Sequence, residues 1–504
     1  MHLSRRNFFK IAGVGVGSAA VGSATYGALN ATGHLPTWLQ QPVPPEARSH
    51  VWHALNRVTF GPRPGQISVV QRIGLPAFLE QQLNPESIDD SIVHGLVQGY
   101  LSLNMSAPEL MQSSIDQQVI MDELDSMTLL RAVYSERQLY ELMVNFWSEH
   151  FSILHSKDNC PYLKTIDDRD AIRPHALGNF RALLGASAQS PAMLDYLDNV
   201  VSDKNHPNEN YARELLELHT LGVGNYKEQD VKEVARCFTG WTMGYDENAK
   251  QGTFVFAPDM HDNGRKTVLG HTIPAGGGIT DGQRVLDILA AHPATAQRIS
   301  LKLCRRFIGD NPSADVVKEV AQGFINNQGD IKAMLRTLFA SQTFVSALPK
   351  FKRPFEYLVS LYRVLDIRIS TSEALDGLNA LRTLGHLPFQ HPSPEGYSDL
   401  SERWIGNMLA RWNVGLQVTY GRSYGTMVNM FHMHSGQSEK RTPHAFVDFY
   451  AQHMLGRTLT PHESKALWDL VAQSGTPDLH TSVGRTILSD AIALLATSPA
   501  YQFR

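Results

Sequence analysis

The 504-residue chain has few cysteines, little net charge and no long apolar run beyond its N-terminal region. Its three cysteines, Cys160, Cys237 and Cys304, are too few and too widely spaced for a disulfide framework or a paired-cysteine zinc site. The formal net charge of −4, without a basic block, argues against nucleic acid as a partner. No later segment is long and apolar enough to predict a transmembrane helix in the mature chain. The composition, 42% hydrophobic and 19% charged, is that of a globular protein.

The N-terminal region contains the sequence of an export signal. Arg5 and Arg6, followed by two aromatic residues and Lys10, precede an uncharged stretch over 11–31 that is rich in small residues. This order predicts a twin-arginine signal over residues 1–31, and hence a periplasmic or extracellular protein. The alternative is a membrane anchor, which the glycine-rich and weakly hydrophobic composition disfavours. Residues 32–48 are rich in proline and are predicted to form a linker.

Helical periodicity dominates from residue 49 onward and predicts a mainly α-helical fold with many helices. We expect a single large helical domain over 49–504, with two helical lobes, about 49–345 and 346–504, as the alternative. The strand signal is confined to a short insert near 253–270. There, Thr253–Phe256 and Lys266–Leu269 lie on either side of Asp262-Asn263-Gly264, which predicts a β-hairpin with a tight turn.

The segment 208–222 is predicted to be a helix that begins after Asn208. On a helical wheel Arg213 lies one turn from both Glu209 and Glu217, so ion pairs alone can explain these charges. His219 falls in the middle of the opposite, apolar face, and Glu214 lies at the boundary between the faces.

A second helix, 139–151, places His150 on its apolar face in the same way. One interpretation is that His150 and His219 are core residues with neutral side chains bonded to the backbone. The other is that two facing helices donate them to a metal, with Glu214 or His261 completing the site. Nitrogen and carboxylate ligands suit iron, manganese, copper or zinc. The spacing matches neither HExxH nor a paired Glu-x-x-His motif.

Further catalytic candidates lie on the predicted hairpin and on the polar face of the 208–222 helix. Asp262 or Glu217 is a candidate base, and Arg213 a candidate for orienting an anion. The alternative for Asp262 is turn chemistry, because Asp and Asn before Gly favour a tight turn.

Several longer motifs resemble a known bacterial family. They are Leu55–Arg63, Phe146–Phe151, Ile172–Arg181, Ser190–Asp198, Asn208–Gly222 and Glu233–Trp241. In this order they are similar to the family called domain of unknown function 1800, over about residues 48–500. The resemblance implies an exported bacterial protein but no established activity. It also implies a partner, the product of a neighbouring gene for another exported protein. One departure is Glu395-Gly396-Tyr397, where the family usually has Gly-Trp.

From the residues we expect a periplasmic metal-dependent enzyme, hydrolytic or oxidative, with a histidine–carboxylate site between helices. The alternative is a non-catalytic exported scaffold that binds polysaccharide or a partner protein.

Overall fold

The computed structural model describes residues 49–245, 250–420, 442–475, 478 and 480–504. The predicted signal (1–31) and linker (32–48) lie outside the described residues. The described part of the chain is mainly α-helical with two small antiparallel sheets, so the predicted fold class is confirmed.

The helices are short to medium in length and follow one another closely. Those before the strands are α1 His50–Val58, α2 Gln66–Ile73, α3 Leu75–Leu83, α4 Ser91–Val97, α5 Ala107–Gln112, α6 Gln117–Tyr134, α7 Gln138–His150, α8 Cys160–Ile166, α9 Phe180–Ala188, α10 Pro191–Tyr196, α11 Glu209–Glu214 and α12 Glu228–Phe238. Those after the strands are α13 Ile279–Ala291, α14 Pro293–Phe307, α15 Ala314–Asn326, α16 Ile331–Ala340, α17 Gln342–Val345, α18 Pro354–Val364, α19 Ala374–Thr383, α20 Met408–Thr419, α21 Pro443–Leu455, α22 Pro461–Ser474 and α23 Ser482–Thr497.

Two helices continue into π-helical segments, Asp167–Ile172 after α8 and Leu215–Thr220 after α11. In the second segment the Leu221 N–H donates to the carbonyl of Leu216, five residues earlier, at 2.8 Å. Gly222 then ends the helix with a φ of 83°, a conformation that glycine adopts without strain. Single π-helical turns inside α-helices are rare and occur often at functional sites.

Two of the four strands lie where the sequence predicts strands, but these two do not pair with each other. β1 (Trp241–Met243) pairs with β2 (Phe254–Phe256), and β3 (Lys266–Val268) pairs with β4 (His271–Ile273). The tight turn is therefore Leu269-Gly270, whose two φ angles of 49° and 81° fit a two-residue hairpin loop. The predicted turn at Asp262-Asn263-Gly264 does not join paired strands, and the Asp262 carboxylate instead accepts hydrogen bonds from Arg236.

The described residues fall into two units. The first contains the residues up to Leu79 together with Val345–His386 and Asp399–Arg504. In its core, the buried Tyr357 hydroxyl donates to backbone carbonyls, and its ring contacts Tyr501 edge-on at 6.0 Å.

The second unit contains Glu80–Phe344 and the loop Leu387–Ser398. Its core surrounds α7, where Trp147 is fully buried and its indole N–H donates to the carbonyl of Ala176 at 2.9 Å. The Trp147 ring lies 5.9 Å from the ring of Phe180. This packing fixes the position of α7 and of the histidine in its last turn.

Candidate functional site

His150 is fully buried at the C-terminal end of α7, and both of its ring nitrogens have partners. Its Nε2 lies 3.0 Å from the carbonyl oxygen of His219, and its Nδ1 lies 2.8 Å from Nζ of Lys302. A lysine ammonium only donates, so Nδ1 accepts and Nε2 carries the proton that is donated to the His219 carbonyl. Burial, followed by the charge of Lys302, holds the pKa of His150 well below its usual range. His150 is therefore a neutral imidazole in one tautomer.

His219 lies beside His150, on the π-helical segment that follows α11. The two imidazole centroids are 6.1 Å apart, and the ring of Phe151 lies 5.1 Å from that of His219. Burial lowers the pKa of His219 to about 3, with further contributions from the charges of Lys302 and Arg298. Its Nε2 is buried and has no hydrogen-bond partner among the described residues. Buried polar atoms normally have such a partner, so this nitrogen requires an explanation.

The two cations come from α14, a helix that follows the strands. Arg298 and Lys302 are one turn apart on it, and Arg298 Nε donates to the carbonyl of Leu218 at 3.2 Å. A Cβ atom at Gly222 would lie 3.2 Å from Arg298 Nη1, so the glycine lets the guanidinium pack against the end of the π-helical segment. Sequence reasoning missed both cations. The only available signal was two cations spaced one turn apart on the partly exposed face of a predicted helix.

Two carboxylates of the same helical region differ in environment. Glu214 is half-buried, and burial together with the nearby charge of Glu217 raises its pKa above the usual value. Glu217 accepts a short hydrogen bond from the hydroxyl of Tyr226. Burial and this bond raise the pKa of Tyr226 to about 12. Burial lowers the pKa of Arg298, and the charge of Glu217 partly offsets that effect.

Arg213 lies at the edge of this arrangement: its side chain hydrogen-bonds with Tyr226, and its charge partly offsets the rise in the pKa of Glu214. Its guanidinium forms a two-point ion pair with Glu228, with N···O distances of 2.7 and 3.0 Å, on the exposed side of the helix. Because this pair is exposed, it contributes little to stability. The role of Arg213 in orienting an anion stays a prediction, and Arg298 and Lys302 are two further cations near the histidines.

His261 and Asp262 belong to a separate cluster around the small sheets. His261 is fully buried, with Nδ1 2.8 Å from the carbonyl of Thr239 and Nε2 3.3 Å from a carboxylate oxygen of Asp281. Asp281 also pairs with the buried Lys266 at 2.8 Å. Asp262 binds Arg236 and accepts from the backbone N–H of Gly264, and the bond from Arg236 lowers its pKa. The polar contacts of both residues thus hold the strand region together.

The four predicted metal ligands are not assembled into one donor set. Only His150 and His219 are brought together, and the described part of the chain holds no group of three or more His, Cys, Asp or Glu side chains placed for a metal. An ammonium also occupies the Nδ1 position of His150, and a cation there opposes binding of a second cation. The metal assignment stays a prediction.

No helix among the described residues combines the length and the apolar character that a bilayer crossing requires. The family model described as a protein of unknown function (DUF1800) matches residues 53–503. Neither the curated proteins nor the solved structures contained a match to the chain.

Proposed function

We propose that this chain, which belongs to the DUF1800 family, is a hydrolytic enzyme in which Glu214 and Glu217 act as acid and base. The observation that carries the proposal is the contrast between the two carboxylates. Burial and the charge of Glu217 raise the pKa of Glu214, while Glu217 is hydrogen-bonded to Tyr226. A carboxyl group whose pKa is raised by burial, beside a second carboxyl group, is typical of acid–base catalytic sites.

The proposed reaction uses one carboxyl group as the acid and the other as the base. Glu214 acts as the acid and gives a proton to the oxygen of the leaving group as the bond to that oxygen breaks. Glu217 acts as the base and takes a proton from a water molecule, whose oxygen forms the new bond. One water is consumed, and the two carboxyl groups exchange protonation states, which solvent then restores. Two carboxyl groups with these roles are the usual catalytic pair for glycosidic bonds.

The buried histidines support this pair rather than react. His150 donates to the carbonyl of His219 and so holds the π-helical segment that carries Glu217. Lys302 fixes the tautomer that makes this bond possible. His150 is therefore a positioning residue in this proposal.

A second candidate is a non-catalytic protein that binds a polysaccharide or a partner. The observation that favours it is that His150 is neutral, fully buried and bonded to a backbone carbonyl, as expected of a core residue. In this case Glu214 and Glu217 would contribute to binding or to solubility only.

Hydrolysis of a panel of bacterial cell-wall and extracellular polysaccharides separates the two candidates. We expect Glu214→Gln and Glu217→Gln each to lower turnover by about 100-fold or more, since a positioned acid or base contributes roughly that factor. The matched control is Glu209→Gln, an exposed carboxylate of the same helix. Undiminished turnover in both variants would overturn the proposal. Saturable binding without turnover by the wild type would support the second candidate instead.

Export is part of the proposal, and the Arg5-Arg6 sequence supports it. Residues 1–48 fused to a folded reporter should direct it out of the cytoplasm. Replacement of Arg5 and Arg6 by lysine should abolish this transport, and unchanged transport would argue against the twin-arginine route.

A further inference from the structure

Three nitrogen-bearing side chains meet at the end of the π-helical segment. Lys302 and Arg298 come from α14, and His219 comes from the segment itself. The charges of both cations act on the imidazole of His219, so the three groups share one electrostatic environment. A cluster of donors in a partly buried position is the environment that anions select.

Arg298 has donor capacity beyond the contact described above. A guanidinium has five N–H donors. Arg298 donates through Nε to the carbonyl of Leu218, and within the described ranges its two terminal nitrogens donate to no other residue. Because a guanidinium presents paired N–H groups, Arg298 is suited to a planar or tetrahedral oxyanion.

The unpartnered Nε2 of His219 is the second, independent observation. This histidine is fully buried, and its Nε2 has no partner among the residues that the structure describes. Burying such an atom without a partner is unfavourable, and a bound group with which it can hydrogen-bond would remove the cost.

The cluster adjoins the proposed catalytic pair. The charge of Glu217 acts on Arg298, and the Arg298 side chain bonds to the carbonyl of the next residue, Leu218. A group bound by Arg298 and Lys302 would therefore lie next to Glu217.

We propose that Arg298 and Lys302, with His219 beside them, bind an anionic group of the substrate, so that the substrate is an acidic polysaccharide. The group is a carboxylate of a uronic acid or a sulfate ester, since both present the oxygens that the two cations recognise. This inference depends on the proposed function in one respect only, namely that the bound anion would place the bond to be cleaved at the catalytic pair. The binding of the anion does not depend on catalysis.

The test is equilibrium binding of the full chain to three soluble probes: polygalacturonate, dextran sulfate and neutral dextran. We expect tighter binding of one acidic polymer than of neutral dextran, and the preferred polymer distinguishes carboxylate from sulfate. Arg298→Gln and Lys302→Gln should each weaken that binding by about tenfold, because one charge-assisted contact is lost. The matched control is Arg284→Gln, which removes an exposed arginine of α13.

The anion site and the catalytic pair fail in different ways. Glu214→Gln should keep its affinity for the acidic polymer even where turnover is lost. Binding of an acidic polymer by the wild type without any hydrolysis would contradict the proposed function but would still support the anion site. Arg298→Lys, which keeps the charge and is the less disruptive change, should bind more tightly than Arg298→Gln. The proposal is overturned if neutral dextran binds as tightly as both acidic polymers, if no polymer binds, or if folded Arg298→Gln and Lys302→Gln bind like the wild type.

Discussion

The buried state of His219 predicts a pH dependence of stability that can be measured without a substrate. The folded pKa of this imidazole is lowered from 6.5 to about 3, with burial as the main cause. The unfolded chain therefore takes up a proton near the ordinary pKa, whereas the folded chain does not. The contribution of His219 to the free energy of unfolding is fully present above the pKa of the unfolded state. It is lost as the pH falls towards the pKa of the folded state.

The size of the effect follows from the linkage between protonation and folding. One proton taken up only by the unfolded chain costs about 1.4 kcal/mol per pH unit. Between about pH 6.5 and about pH 4.5, His219 should therefore account for a loss of roughly 3 kcal/mol in the free energy of unfolding. His150, which is also fully buried and neutral, should add a loss in the same direction.

The assay compares guanidinium unfolding of the wild type and of His219→Gln over this pH range. Every other titrating group is common to both proteins, so the difference between them reports His219 alone. We expect the stability of the wild type to fall more steeply with acid than that of the variant. Equal slopes, or an imidazole resonance of His219 that titrates near pH 6.5, would refute the reasoning. His94→Gln, which removes an exposed histidine of α4, is the matched control.

Three further predictions concern the surroundings of the site. Gly222→Ala should lower the free energy of unfolding by about 1–2 kcal/mol, because its φ is 83° and its Cβ would approach Arg298 Nη1, and thermal unfolding would show this. A wild-type melting temperature in that variant would contradict the account of the helix end. Arg173→Met should cost about 3–5 kcal/mol, because it leaves the buried Asp168 and Glu141 without their shared partner, and a variant as stable as the wild type would contradict this. Elemental analysis of the natively purified protein should show no metal held by His150, because the ammonium of Lys302 lies at its Nδ1 and opposes a second cation there. A stoichiometric metal that is lost in the His150→Ala/His219→Ala double variant would support the metal-enzyme interpretation instead.

Sequence periodicity was sufficient to predict that the two central histidines are buried. The helical wheels placed His150 and His219 on apolar faces, and both are buried side by side. The helix start at Asn208 was also predictable, since its side chain accepts from the N–H of Tyr211 at 2.9 Å as an N-cap does. These features depend on local sequence, which periodicity and capping rules describe well.

What the sequence did not reveal depends on long-range contacts or on small changes in backbone geometry. Lys302 lies 152 residues from His150 in the chain, and no local pattern connects them. The π-helical segment at Leu215–Thr220 alters the hydrogen-bond register without altering the apolar pattern. The strand partners were wrong because three-residue strands carry almost no register information.

The central claim is that Glu214 is the acid of a coupled carboxyl pair, and the titration of its own carboxyl group tests it most directly. The measurement is carbon NMR of protein labelled at the glutamate carboxyl carbons, with the Glu214 resonance assigned by its loss in Glu214→Gln. We predict a pKa above the ordinary value of 4.5, which falls when Glu217→Gln removes the neighbouring charge. A Glu214 carboxyl that titrates at or below 4.5, or that does not respond to Glu217→Gln, would contradict the account.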